Sequence, residues 1–336
     1  MSLEQTDIDQ YIRFSRLIGS YKELVQGSGG NISVKSDDQI CIKSSGRLLA
    51  ETATNYGYSI CDNAELVRSL AEKTEDTKHT VRRGEPNSTP SMEVFFHLLA
   101  YKWVVHVHPT FLLYHLCQTS WNNLKTSVSH IHIPYHKPGI PLAEAIFKTY
   151  SDEQVIFLQN HGVIVGAETQ EEICEILDTL YKDYHSHRVE SMRPLGLLNA
   201  WTFQTLLETK TGKDLVLKPC HNIYQLNERL FMPITPDCSL FLKHFPLVQE
   251  YAAESVEHLL DKYREQFSTT PNVCRIFGRV FVVGNTMKHA QCIEAILVSY
   301  LEICYYTNPS NLVFFEEQSV LDLVNSEKEK HRLQTL

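Results

Sequence analysis

His106 and His108 stand two residues apart in Val104-Val105-His106-Val107-His108-Pro109, and His161 sits about fifty residues further on in Asn160-His161-Gly162. The valines read as a buried strand. Side chains on a strand alternate faces with period two, so both imidazoles project from the same face. Two imidazoles close enough to share an ion are a ready pair of metal ligands. His161 closes a second apolar strand, Val155-Ile156-Phe157-Leu158, where Gly162 permits a tight turn. With Glu93 upstream, three histidines at strand ends predict a catalytic divalent-metal site with an open coordination position. Any one of the chain's 16 histidines is more simply a satisfied structural residue. The pairing of H-x-H with N-H-G on apolar strands is what carries the metal reading.

Glu93 falls in the first turn of a helix expected over Ser91 to Tyr101, where the helix dipole favours a carboxylate even without a function. The sharper reading makes it a general acid and base beside the metal, as metal-assisted enolate chemistry requires. His97, four residues on, shares that helix face; it either orients Glu93 or packs beneath the site, and packing is the simpler role. Gly27-Ser28-Gly29-Gly30 forms a turn between a helix and a strand, exposing backbone amides that suit an anion such as phosphate. It is no P-loop, since no Gly-Lys-Ser/Thr follows, and no dinucleotide fingerprint, since it leaves a helix rather than a strand. Ser44-Ser45-Gly46 and Pro90-Ser91 offer further amides and hydroxyls, the latter at a helix start. Arg82 and Arg83 are a solvated pair in a polar loop.

The elements that must hold these residues follow from periodicity. Ile8, Tyr11, Ile12, Phe14, Leu17, Ile18, Tyr21 and Leu24 predict a helix over 7–26 that stops at the Gly-rich turn. A hairpin spans 31–35 and 40–43, followed by strand 103–107 and a helix from Pro109. A short strand at 131–135, helix 142–150, strands 154–158 and 163–166 and helix 169–189 complete the unit. Pro194 and Gly196 mark a boundary between residues 1–195 and 196–336. Beyond it, helix 247–267, strands 273–277 and 279–283 and helix 286–306 predict a smaller α+β extension. No internal repeat is visible in the sequence.

At 336 residues, 43% hydrophobic and 21% charged, the chain has an ordinary soluble composition. A net charge of −9 argues against non-specific nucleic-acid or anionic-membrane binding. No apolar stretch approaches the ~20 residues of a membrane span, and the N-terminus lacks signal-peptide character. Nine cysteines without a C-x-x-C pair point to small core residues in a reducing compartment, hence a cytoplasmic location.

Gly27-Ser28-Gly29-Gly30-Asn31-Ile32-Ser33, Ser45-Gly46, Pro90-Ser91-Met92-Glu93, Val105-His106-Val107-His108-Pro109 and Leu158-Gln159-Asn160-His161-Gly162 occur in the order seen in class II aldolase/adducin-type proteins. Over residues 7–190 the chain resembles this family, which includes fuculose- and rhamnulose-phosphate aldolases and ribulose-phosphate 4-epimerases. Pro-Ser-Met-Glu followed by Phe96-His97-Leu98-Leu99 is most similar to the aldolase part of bifunctional rhamnulose-phosphate aldolase/alcohol dehydrogenases. No G-x-G-x-x-G follows a strand here, so the expectation is an aldolase-like chain without the dehydrogenase. Glu327 to Arg332 would belong to that family's inter-domain segment.

The resemblance implies a three-layer α/β/α domain with a largely antiparallel central sheet, assembled as a homotetramer with sites at subunit interfaces. His106, His108 and His161 would hold zinc or another divalent ion, and Glu93 would shuttle the proton of a metal-stabilised enediolate. Gly30, Asn31, Ser45, Gly46 and Ser91 would hold the phosphate of a sugar-phosphate substrate. The implied reaction is aldol cleavage of a phosphorylated ketose. A 4-epimerase or dehydratase on the same scaffold, or a non-catalytic adducin-like scaffold, are the alternatives. Glu93 favours the aldolase branch, since epimerases carry an aspartate there. Met92 stands where fuculose aldolases have a second phosphate-binding serine, and the segment bearing their tyrosine for the leaving oxygen is shortened around 127–132. His130, His132 and Tyr135 are the substitutes within reach.

Overall fold

The computed structural model describes residues 2–184, 195–220, 223, 238–242 and 246–306. The chain divides into two compact units, Met1–Trp201 and Thr202–Leu336. Among the described residues no helix is long and apolar enough to cross a membrane.

The first unit opens with α1 (Gln5–Ser20), whose apolar spacing buries Ile8, Tyr11, Ile12, Phe14, Leu17 and Ile18 along one stripe. The helix ends before the predicted residue 26. Tyr21 turns extended, and Leu24 and Val25 donate back to its carbonyl in a turn that delivers the chain to the glycines. Then follow β1 (Asn31–Lys35), β2 (Gln39–Lys43), β3 (Tyr58–Asp62), α2 (Asn63–Ala71) and β4 (Val81–Gly84). Next come β5 (Trp103–Val107), α3 (Thr110–Leu116), β6 (His130–Ile133), α4 (Ile140–Thr149), β7 (Val155–Leu158), β8 (Gly162–Ala167) and α5 (Gln170–Tyr184). The predicted continuation of α5 to residue 189, the boundary residue Pro194 and the segment Glu327 to Arg332 lie outside the described residues.

The eight strands form one sheet in the order β4-β3-β2-β1-β5-β8-β7-β6. Every neighbouring pair is antiparallel except β6 and β7. The unit is a mixed α/β domain with a largely antiparallel central sheet. Register fixes the site: Asn31 pairs with His106, His106 with Ile164, and Ile164 with Ile156, so these four share a face. On that face Val104, Ile156, Ile164 and Ile133 pack with Val94, Phe95, Phe96 and Leu142 in the core.

Residues 91–101 do not form the expected α-helix. Only Val94–Leu98 is helical, as a short 3-10 segment, with Glu93 just before it at φ −95° and ψ 9°. Val94, Phe95, Phe96, His97 and Leu99 are all buried, so the segment has no polar face to present to water and threads through the core. The helix dipole therefore offers no account of Glu93, because one 3-10 turn carries little of it.

The second unit takes the end of α6 (Leu197–Thr211), then β9 (Val216–Pro219), β10 (Leu247–Val248), α7 (Val256–Phe267), β11 (Val273–Ile276), β12 (Arg279–Gly284) and α8 (Met287–Tyr306). The predicted helix 247–267 is shorter than expected. Ser255 caps it by accepting from the His258 amide, and Leu247–Val248 joins the sheet instead. The four strands order as β10-β11-β12-β9, with β10 parallel to β11 and the other pairs antiparallel.

This arrangement repeats the β6-β7-β8-β5 portion of the first sheet, strand for strand, although the sequence shows no repeat. Each copy places a helix between its parallel strands (α4, α7) and another after its hairpin (α5, α8). The final helices start alike: Thr169 accepts from the Glu172 amide and Thr286 from the His289 amide. Counted back from these threonines, Phe281 corresponds to Ile164, and Pro219 pairs with Phe281 where His106 pairs with Ile164. By the same count Gly278 stands where the first copy has His161.

Candidate active site

β5 carries His106 one residue before its end and His108 one residue past it. Period two sends both imidazoles to one face, as the sequence predicts, and their Nε2 atoms lie 3.0 Å apart. His161 reaches them from the β7–β8 turn. Asn160 adopts φ +54°, a conformation asparagine tolerates better than most residues. Gly162 follows because a Cβ there would meet the Val107 carbonyl oxygen at 2.4 Å and the His108 ring at 2.9 Å. The ring centroid of His161 lies 4.8 Å from that of His106 and 5.2 Å from that of His108. One nitrogen from each ring falls within 4.8 Å of the others, which makes these three the metal-competent group among the described residues.

Two of the imidazoles are held in the state a metal needs. His106 is fully buried, and burial drives its pKa down to about 3 against the opposing pull of Glu93. His108 is also lowered, first by burial and then by His161. Neutral rings expose a lone pair. The Val163 carbonyl oxygen, 3.1 Å from His106 Nδ1, accepts that nitrogen's hydrogen and turns Nε2 towards the cluster.

Glu93 faces this group. Its Oε1 lies 3.1 Å from His161 Nε2 and its Oε2 lies 3.6 Å from His106 Nε2. Burial opposes its ionisation, but His106, His161 and the hydrogen bond from Asn31 outweigh it and hold the carboxyl well below the usual range. Asn31 Nδ2 donates to Glu93 Oε2 at 2.8 Å, whereas Oε1 has His161 Nε2 as its neighbour, and His161 Nδ1 is without a hydrogen-bond partner. Three convergent imidazoles, one with its outer nitrogen already bonded to backbone, and a buried carboxylate facing them together fit a divalent cation.

The sequence-predicted anion-binding residues gather at the same end of the sheet. Gly30, at φ +66°, lies against β5, where a Cβ would sit 2.9 Å from the His106 carbonyl oxygen. Ser91 Oγ accepts from Asn31 Nδ2 at 3.3 Å. Ser45 and Gly46 are tied to this stretch by a Ser44–Pro90 bridge, and the Ser45 amide donates to the Thr89 carbonyl at 2.7 Å. That amide is therefore spent, leaving the Ser45 hydroxyl and the Gly46 turn to face a ligand. Sequence reasoning missed Lys43. It is 3% exposed, its ammonium donates to the Ser28 carbonyl in the Gly-rich turn, and burial lowers it to about 8 against the pull of Glu93. The available signal was a lysine closing the apolar alternation Ile40-Cys41-Ile42 just ahead of Ser44-Ser45-Gly46.

Of the three residues considered for the leaving oxygen, the structure separates one from two. His130 pairs with Val155 and His132 with Phe157, while His106 belongs to the row of Ile164 and Ile156. Alternation puts both histidines on the opposite sheet face, and His132 stacks on Phe157 there. Tyr135 is exposed at the same strand ends as His161, its amide donating to Gln159 Oε1 at 3.1 Å.

A family profile described as the Class II Aldolase and Adducin N-terminal domain matches residues 9–182. An uncharacterized oxidoreductase of Bacillus subtilis is 25% identical over 237 residues, covering 62% of this chain and 33% of that protein. The chain thus spans about a third of that relative's length. An L-fuculose phosphate aldolase of Methanocaldococcus jannaschii is 29% identical over 47% of this chain and 82% of its own. A 3-oxo-tetronate 4-phosphate decarboxylase of Escherichia coli is 26% identical over 57% of this chain and 93% of its own.

Proposed function

The chain belongs to the family of class II aldolases and adducin N-terminal domains, and on that premise we propose that it cleaves a phosphorylated ketose into dihydroxyacetone phosphate and an aldehyde. The observation that supports this reading is the buried Glu93 carboxylate set against three convergent imidazoles. His106, His108 and His161 would hold a divalent ion, zinc first. When bound, it would polarise the ketose carbonyl and neighbouring hydroxyl and stabilise the charge left as the carbon–carbon bond breaks.

Glu93, ionised in the free protein, takes up the proton given off by the hydroxyl that becomes the aldehyde oxygen and passes it to the carbon that carried the broken bond, and in the reverse direction removes it. Asn31 holds Oε2, so Oε1 is the oxygen that meets the substrate. Gly30, Asn31, Ser45, Gly46 and Ser91 bind the phosphate at the same sheet end, and Lys43 contributes the positive charge. A second reading, decarboxylation of a phosphorylated 3-oxo acid, is favoured by the activity named for the Escherichia coli relative, since loss of CO2 leaves the same kind of electron pair to stabilise. Homotetramer formation is part of the proposal and is read by light scattering.

The test is a Glu93→Gln variant of the full chain. It should keep its metal while losing exchange of the dihydroxyacetone phosphate C–H proton with deuterated water. Unchanged exchange would sink the role given to Glu93. A panel of ketose phosphates distinguishes the reactions: two fragments mark a lyase, one isomer an epimerase, released CO2 a decarboxylase, and no turnover at full metal occupancy a scaffold.

A further inference from the structure

Asn31 and Ser33 alternate on β1 and therefore point to the same face as His106. His97 crosses that face from the 3-10 segment and is completely buried. Both of its ring nitrogens are engaged, Nδ1 with Ser33 Oγ at 2.8 Å and Nε2 with Asn31 Oδ1. Packing alone would be served by any flat ring here, stacked as His97 is on Phe96 with centroids 5.0 Å apart. The polar contacts ask for more than packing.

The direction of the chain is fixed from its far end. An ionised Glu93 only accepts, so the group at 2.8 Å from its Oε2 must be the Asn31 NH2. That turns Asn31 Oδ1 towards His97, where it needs a donor. His97 meets that need when it carries its hydrogen on Nε2 and accepts the Ser33 hydroxyl at Nδ1, with the Val104 carbonyl the competing acceptor for a ring hydrogen. We propose that His97 is a positioning residue: through the Asn31 carboxamide it fixes which oxygen of Glu93 is held and which is left free for proton transfer. The inference rests on the role of Glu93 proposed above. Burial keeps the His97 ring well below its usual pKa and so neutral, with one N–H to give. Without that N–H, Asn31 Oδ1 is left buried with no donor, and the carboxamide, still bonded through its NH2 to Glu93 Oε2, loses the contact that fixes its plane. Glu93 Oε2 would then be held less firmly while the three metal-binding histidines stay in place.

The test compares His97→Phe with His97→Gln in the full chain loaded with zinc. His97→Phe keeps a flat ring but has no N–H; His97→Gln restores a donor and an acceptor. Three quantities are read: bound zinc, the Kd of dihydroxyacetone phosphate, and its C–H exchange in deuterated water. Loss of a supporting hydrogen bond of this kind typically costs about 10–100-fold. His97→Phe should lower exchange by that factor with zinc and Kd within about twofold, and His97→Gln should recover most of the rate. Exchange unchanged in His97→Phe, or lost in step with zinc, overturns the proposal. So does a His97→Gln variant that binds zinc yet stays as slow as His97→Phe. An independent arm reads the His97 tautomer in the 15N-labelled wild-type chain. Hydrogen on Nε2 supports the chain of bonds, and hydrogen on Nδ1 overturns it. If wild-type protein exchanges nothing, the reading of Glu93 fails, and the tautomer still decides whether His97 orients Asn31.

Discussion

Lys43 closes β2 with its ammonium on the Ser28 carbonyl oxygen and almost none of its surface in water. Burial lowers its pKa to about 8, and the Glu93 carboxylate works against that lowering. A phosphate arriving at the Gly-rich turn would supply the counter-charge that a buried cation lacks. A hydrogen bond to a charged group contributes about 1.5–3 kcal/mol, so Lys43→Met, which keeps the volume, should raise KM for the phosphorylated ketose about 10–100-fold with kcat little changed. The pH dependence has a definite sign. In the free protein the folded-state value lies below the ordinary one, so the charge is lost as pH rises through about 8. Wild-type kcat/KM should therefore fall above pH 8, since that ratio reports the free enzyme. Steady-state profiles of both proteins check this; a Lys43→Met variant with wild-type KM, or with the same alkaline limb, removes Lys43 from phosphate binding.

Elements were legible in the sequence wherever one periodicity held. β5, β7 and β8 are short, largely apolar runs, and strand alternation alone put His106 and His108 on one face. The segment carrying Glu93 was not legible for a physical reason. Val94-Phe95-Phe96-His97-Leu98-Leu99 is apolar in every direction, so its sequence offers no face from which to infer a period, and the chain buries it as one tight turn. Read as a packing residue on the expected helix, His97 gave no sign of its partners Ser33 and Asn31, which lie about 65 residues away on β1. Lys43 escaped for a related cause: its place at the end of an apolar strand is visible locally, but its burial is set by the close approach of the Gly-rich turn, a tertiary contact. What positions His161 is the β7–β8 turn, and there the tightest fit is Gly162. A methyl group at this position meets the Val107 carbonyl oxygen, in the link between His106 and His108. Gly162→Ala should destabilise the metal-free protein by about 1–3 kcal/mol, as overpacking does, and weaken zinc binding by shifting two ligands at once. Thermal unfolding followed by zinc titration would show it; a variant with wild-type melting and affinity means the turn gives way without disturbing the histidines.

On the scale of the whole chain, two sheets share one connectivity, and the metal-competent histidines found among the described residues lie in the first. The first copy has His106 facing Ile164 and His161 in the hairpin turn. The second has Pro219 facing Phe281 and Gly278 in its turn. Proline cannot donate to a strand ladder and so is placed on edge strands; β9 is the edge of its sheet among the described residues, whereas β5 is flanked by β1 and needs every amide. A copy that has exchanged a ligand for proline has lost both a nitrogen donor and the means to accept a strand such as β1, which supplies Asn31 in the first. Among the described residues, no second group of metal-competent side chains is found there. The chain should therefore bind one zinc ion and not two, despite its repeated architecture. Elemental analysis of the full chain should give a stoichiometry of one, falling to zero in a His106→Ala/His108→Ala variant that remains folded by circular dichroism. A second equivalent that survives this double substitution would place a metal outside the first sheet and end the argument that the repeat is chemically silent.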